Sequence, residues 1–225
     1  MDSASWPEEF ARTPAGKAIE KLVAALPGDR PFTITLFGSS PLQLTVDSSL
    51  LSADVDIFGE DGDDEILASC AEKAGLGEGQ SDFYIQVGSR VSFRTSPDWF
   101  KRIRSYKIGH CTVIVPDPID ILIGKLNRLE EKDIEAFRRV IARTGHPTQE
   151  ELIRELRLSV DLFRPAFAEE QATDIVGNCR RLWPLIYGRE IDPGLEIIRP
   201  ALAERQKGYG LPVTDWLSKL PSSPQ

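Results

Sequence analysis

The chain has 225 residues, 41% of them hydrophobic and 28% charged, which gives an ordinary globular core and room for one large domain or two small ones. Its formal net charge of −8 argues against a general nucleic-acid-binding surface. No apolar run approaches the roughly 18 residues of a membrane span, so no membrane partner is expected.

Three isolated cysteines, Cys70, Cys111 and Cys179, show no metal-ligand spacing and cannot all pair within one chain. They read as reduced, mostly buried thiols. His110 and His146 are too few and too scattered for a zinc site. The opening residues lack the basic and apolar regions of a signal peptide, and a cytoplasmic location is expected.

Residues 14–26 have helical spacing behind Thr13, a natural N-cap, and Pro27, Gly28 and Asp29 stop that helix. Alternation over 32–37 predicts a strand. Residues 41–51 fit either a short helix or a loop, and 53–58 form a second strand. An acid-rich turn at 61–65 leads into a helix over 64–75. Residues 83–87 and 91–94 predict a hairpin around Gly88 and Ser89, and Ser96-Pro97-Asp98 predicts a short helix holding Trp99 and Phe100. Residues 112–115 form another strand. The pattern then changes: from Pro118 to about Tyr209 every periodic segment is helical, with a capping box at 148–151 and prolines at 165, 184, 193 and 200 between the later helices. The expected class is α+β, a mixed sheet with flanking helices. An αβ core would span 1–116 and a helical region packed on it 117–225. Trp183, Tyr187 and Trp216 read as core or interface anchors, with the core the favoured place.

Chemistry concentrates at 32–58. A strand ends in Gly38-Ser39-Ser40, a turn able to present N–H and hydroxyl groups to a phosphate. The next strand carries Asp54 and Asp56, which two-residue spacing aims at one face. Such a pair either faces solvent or holds a hard divalent cation. Lys125 falls inside the apolar stripe of 118–129, next to Ile121, Leu122 and Leu129, whereas Asp120, Gly124, Asn127 and Arg128 form the exposed face. An inward lysine either snorkels to solvent or meets an anion, a phosphate or the two aspartates. Asp133 starts the next helical segment, where the helix dipole favours an acid. Arg90, Arg94, Lys101, Arg102, Arg104 and Lys107, interrupted by one acid, Asp98, form either a solvated face or a wall attracting a polyanion.

The run Leu-Phe-Gly-Ser-Ser followed by Ala-Asp-Val-Asp-Ile-Phe resembles the signature of the nucleotidyltransferase superfamily. The later Pro-Ile-Asp-Ile-Leu-Ile-Gly-Lys and Lys-Asp-Ile are similar to the second half of its small prokaryotic members, among them the AbiEii-type toxins. The resemblance spans roughly residues 30–145. It implies a nucleotidyltransferase-like mixed sheet in which Asp54 and Asp56 hold Mg²⁺ and Gly38, Ser39 and Ser40 hold the triphosphate. It also implies that Lys125 neutralises charge near the nucleotide and that Asp133 assists. Two positions depart from the pattern: Gln86 stands on the strand where many members carry a third carboxylate, and Ala136 replaces an aspartate three residues after Asp133.

Three functions follow as expectations. The first is a Mg²⁺-dependent nucleotidyltransferase moving NMP from an NTP to a hydroxyl of tRNA, another RNA or a protein, as the toxin of a toxin–antitoxin pair with a cognate antitoxin. The second is a nucleotide- or partner-binding pseudoenzyme of the same fold, favoured by Gln86. The third is a small-molecule nucleotidyltransferase of the antibiotic-modifying kind.

Overall fold

Alternation of apolar and polar residues builds the sheet. In the computed structural model, which describes residues 3–164 and 173–209, six strands form one mixed sheet: β1 (Ala4–Ser5), β2 (Phe32–Phe37), β3 (Asp54–Gly59), β4 (Tyr84–Val87), β5 (Arg104–Ile108) and β6 (Cys111–Val115). Their order across the sheet is β1-β5-β6-β2-β3-β4. β2 runs parallel to β6 and antiparallel to β3, and β4 runs parallel to β3. The protein is thus a mixed α/β structure with a six-stranded sheet, in keeping with the expected class.

Period-two spacing gives the sheet two unlike faces. Phe32, Ile34, Leu36, Val55, Ile57, Ile85, Tyr106 and Val113 point to one of them and are buried. Helices α1 (Glu8–Arg12), α2 (Pro14–Ala25) and α4 (Asp64–Lys73) cover this face with Phe10, Ile19, Leu22, Leu67 and Ala71. Thr13 caps α2 as expected, its Oγ1 accepting the Gly16 N–H at 2.9 Å. The opposite face carries Thr33, Thr35 and Phe37 of β2, Asp54, Asp56 and Phe58 of β3, and Tyr84 and Gln86 of β4. The ambiguous stretch after β2 is a short helix, α3 (Ser40–Thr45), followed by a loop.

The chain divides into two compact units. One comprises residues up to Phe93 together with Trp99–Ile121; the other comprises Arg94–Asp98 and the chain from Leu122 onward. The division falls inside α5 (Pro118–Lys125). The second unit holds α6 (Glu131–Thr144), α7 (Gln149–Leu158), α8 (Ile175–Tyr187) and α9 (Arg199–Tyr209), with a π-helical turn at Gly194–Ile198. Its core includes Phe137, Val140, Leu152, Leu156, Leu182, Ile197 and a fully buried Trp183. Tyr187 donates its hydroxyl to the Pro147 carbonyl at 3.0 Å. Thr148 and Glu151 form the expected capping box. Trp216 and Pro165 lie outside the described residues.

Three local expectations are corrected. No hairpin joins 83–87 to 91–94: β4 pairs in parallel with β3, and Arg90–Ser92 is a 3₁₀ turn. The chain leaves β4 because Phe93 packs into a ring cluster with Phe37, Phe58 and Trp99, at centroid distances of 5.3 to 6.4 Å. The expected short helix holding Trp99 and Phe100 is present as a 3₁₀ helix, Trp99–Lys101. The basic stretch hides a strand, β5, which pairs with β6 across Gly109. Strand alternation sends Arg104 and Lys107 to opposite faces, and Arg102 grips Asp120 at 3.0 and 2.7 Å. Asp120 is therefore fully buried rather than exposed.

Candidate functional site

The polar face of the first unit brings the turn and the two aspartates together. β2 ends at Phe37, in register with Asp56, so the turn that follows emerges beside that carboxylate. Gly38 adopts a left-handed conformation, φ +65°, open to glycine without strain. A Cβ placed on Gly38 would lie 1.9 Å from Asp56 Oδ2. The missing side chain is thus the space the Asp56 carboxylate occupies. Ser39 precedes α3 as its N-cap residue. Ser40 is only 3% exposed, and its Oγ has no hydrogen-bond partner. A buried hydroxyl left in that state costs free energy until a ligand or water satisfies it.

Asp54 and Asp56 are both half-buried, with Val55 between them and Ile57 after them in the core. Ser52, just before β3, donates its hydroxyl to Asp54 Oδ1. On the far side of β3 from the turn, Tyr84 is in register with Asp54 and exposed Gln86 with Asp56. Burial raises the Tyr84 phenol pKa, and the charges of Asp54, Glu78 and Asp56 raise it further. The phenol therefore sits within the field of both aspartates.

Two half-buried carboxylates suit Mg²⁺, a cation that takes one or two protein carboxylates and keeps water and phosphate oxygens as its other ligands. Asp54 and Asp56 would hold it, and the side-chain-free Gly38 leaves one of them its room. Among the described residues, no group of three or more His, Cys, Asp and Glu is placed to hold a metal ion. On β4 the residue in register with Asp56 is an amide, Gln86, and not a carboxylate.

Lys125 and Asp133 belong to the helical unit, and there they meet each other. Lys125 is 8% exposed and Asp133 is not exposed at all. Lys125 Nζ donates to Asp133 Oδ1 at 2.9 Å. Asp133 Oδ2 accepts the Glu130 N–H at 3.0 Å, closing the capping box of α6, and Arg128 reaches the same carboxylate at 3.4 Å. Burial alone would raise the Asp133 pKa. Lys125, the Glu130 N–H and Arg128 outweigh it and hold the carboxyl below its ordinary range. The pair meets because α5 stops at Lys125, short of the expected residue 129. The chain then turns through Leu129, at φ +47°, which brings the start of α6 back to the lysine.

Ser52 and Tyr84 were not singled out by the sequence. Ser52 carries a weak local signal, a hydroxyl two residues before an aspartate. Tyr84 carries none, because its place beside Asp54 depends on which strand β4 joins.

No protein-family model, no curated protein and no solved structure matches this chain, so the case for a function rests on the geometry of this face and on the resemblance of its motifs.

Proposed function

We propose that this chain is a nucleotidyltransferase-fold protein that moves a nucleoside monophosphate from an NTP to an acceptor hydroxyl with Mg²⁺. The observation that carries the reading is the fit between Gly38 and Asp56. A left-handed glycine at the strand end leaves space filled by a carboxylate oxygen, and the same turn carries a buried, unpartnered Ser40 hydroxyl. The turn that would receive phosphate thus lies against Asp56, one of the two carboxylates that would hold the cation.

In this reading the N–H groups and hydroxyls of Gly38, Ser39 and Ser40 receive the triphosphate, and Asp54 and Asp56 hold the cation. When bound, Mg²⁺ neutralises phosphate charge and aligns the attacking and leaving oxygens. Lys125 and Asp133 neutralise one another within the helical unit, so the reading assigns phosphate and cation to the turn and the two aspartates. The acceptor class, RNA or protein, and a role as the toxin of a toxin–antitoxin pair rest on the resemblance alone.

The reading is tested with α-³²P-labelled NTPs, Mg²⁺ and total tRNA or cell extract. Labelled product is expected with the natural chain, reduced on the order of 10²-fold or more in Asp54→Ala and Asp56→Ala, the scale of losing one preorganised electrostatic stabiliser. No label from any NTP, with nucleotide binding unchanged in both variants, sinks it. A second reading, a nucleotide-binding protein without transfer activity, is favoured by Gln86 in register with Asp56, since an amide cannot accept the acceptor's proton. Mg²⁺-dependent NTP binding without labelled product supports that reading.

A further inference from the structure

We infer that Ser52 is the positioning residue of the Asp54 carboxylate and that its hydroxyl sets the affinity of this face for a divalent cation. The inference rests on the reading of Asp54 and Asp56 as a cation site. It begins with a direct contact: Ser52 Oγ donates to Asp54 Oδ1. The bond takes one carboxylate oxygen, restricts the rotation of the group and leaves Oδ2 as the oxygen for a cation.

The loop that delivers Ser52 is itself held in place. Gln43, buried on α3, accepts the Ala15 N–H at 2.8 Å through Oε1 and donates to the Leu50 carbonyl at 3.4 Å through Nε2. Asp47 Oδ1 accepts both the N–H and the hydroxyl of Ser49, at 3.0 and 2.7 Å. The Leu50 N–H donates to the Asp47 carbonyl at 3.0 Å. Ser52 therefore reaches Asp54 from a braced segment, and α3, which braces it, also carries Ser40 of the turn. One carboxylate is fixed by Ser52 and the other is seated against Gly38. Ligating carboxylates are commonly oriented this way by outer partners, and losing such a partner typically lowers metal affinity about 10- to 100-fold. A purely local role, closing the loop before β3, would lower thermal stability and leave cation affinity unchanged.

The test is a titration of the full chain with Mn²⁺, alone and with a non-hydrolysable triphosphate analogue, read by the electron paramagnetic resonance signal of free Mn²⁺. Melting temperatures are measured alongside. Asp54→Ala is expected to abolish site binding. Ser52→Ala is expected to weaken it about 10- to 100-fold, and Ser52→Thr, which keeps the hydroxyl, to stay within about threefold of the natural chain. Ser52→Val, equal in shape to threonine, should bind as weakly as Ser52→Ala and keeps the comparison if the alanine variant fails to fold. Affinity in Ser52→Val equal to that in Ser52→Thr overturns the inference, as does Ser52→Ala within twofold of the natural chain. Failure of the underlying site reading looks different: the natural chain takes up no Mn²⁺ in either titration, or Asp54→Ala and Asp56→Ala both bind as it does.

Discussion

Gly38 is where the geometry is tightest. Two separate constraints meet there: a left-handed φ of +65° and an Asp56 Oδ2 that would lie 1.9 Å from any Cβ. Either alone disfavours a side chain. Gly38→Ala is expected to cost about 1–3 kcal/mol, measured by urea unfolding. In an Asp56→Ala background the same substitution should cost less, because the carboxylate is gone and only the left-handed strain remains. An equal cost in both backgrounds would mean that Asp56 does not occupy the glycine's side-chain space. The glycine, the two serines and both aspartates were legible in the sequence because a turn after an alternating strand is a local pattern. Ser52 was not, because a serine two residues before an aspartate is commonplace until the hydrogen bond is seen.

At the scale of elements, β4 matters most. Its alternation marked a strand, but the sequence paired it with the wrong neighbour. Gly88 and Ser89 have the composition of a hairpin turn, yet Gly88 instead packs against the ring of Phe37, and its N–H donates to the Ile57 carbonyl at 2.8 Å. Pairing with β3 places Gln86 beside Asp56. Gln86→Glu would put a third carboxylate on this face. If transfer is limited by the missing acid, this variant should raise Mg²⁺-dependent labelling several-fold above the natural chain in the tRNA or extract assay. A variant no more active than the natural chain, with cation affinity increased, would place the limit elsewhere. β5 escaped notice for a related reason: Arg104 and Lys107 make the stretch look like a charged surface, and only pairing with β6 reveals a strand.

At the scale of the whole molecule, stability depends on the buried pair of Lys125 and Asp133. Lys125→Ala takes from the buried Asp133 carboxylate its closest cation and leaves it the Glu130 N–H and the more distant Arg128, so it is expected to cost about 3 kcal/mol, read as a lowered urea midpoint. The folded-state pKa of Asp133 is depressed below its ordinary value of 3.8. Its contribution is therefore complete above that value and is lost as pH falls through the lower, folded-state value. The natural chain should lose stability with acid in that range, and Asp133→Asn should flatten this part of the curve. An unchanged acid limb in Asp133→Asn would assign the loss to other carboxylates.

What the sequence determined by itself is local: the caps at Thr13 and Thr148, the alternation of β2 and β3, the Gly-Ser-Ser turn, the common face of Asp54 and Asp56, and the inward place of Lys125. Each follows from residues within a few positions of one another, where helical and strand periods fix which side chains share a face. Only the tertiary structure decided which strand accompanies β3, that Asp120 is buried against Arg102, that Lys125 answers to Asp133, and that Asp56 fills the space beside Gly38. These depend on pairing and packing between segments far apart in the chain. Their free energy comes from contacts made only when the sheet and the helical bundle have formed.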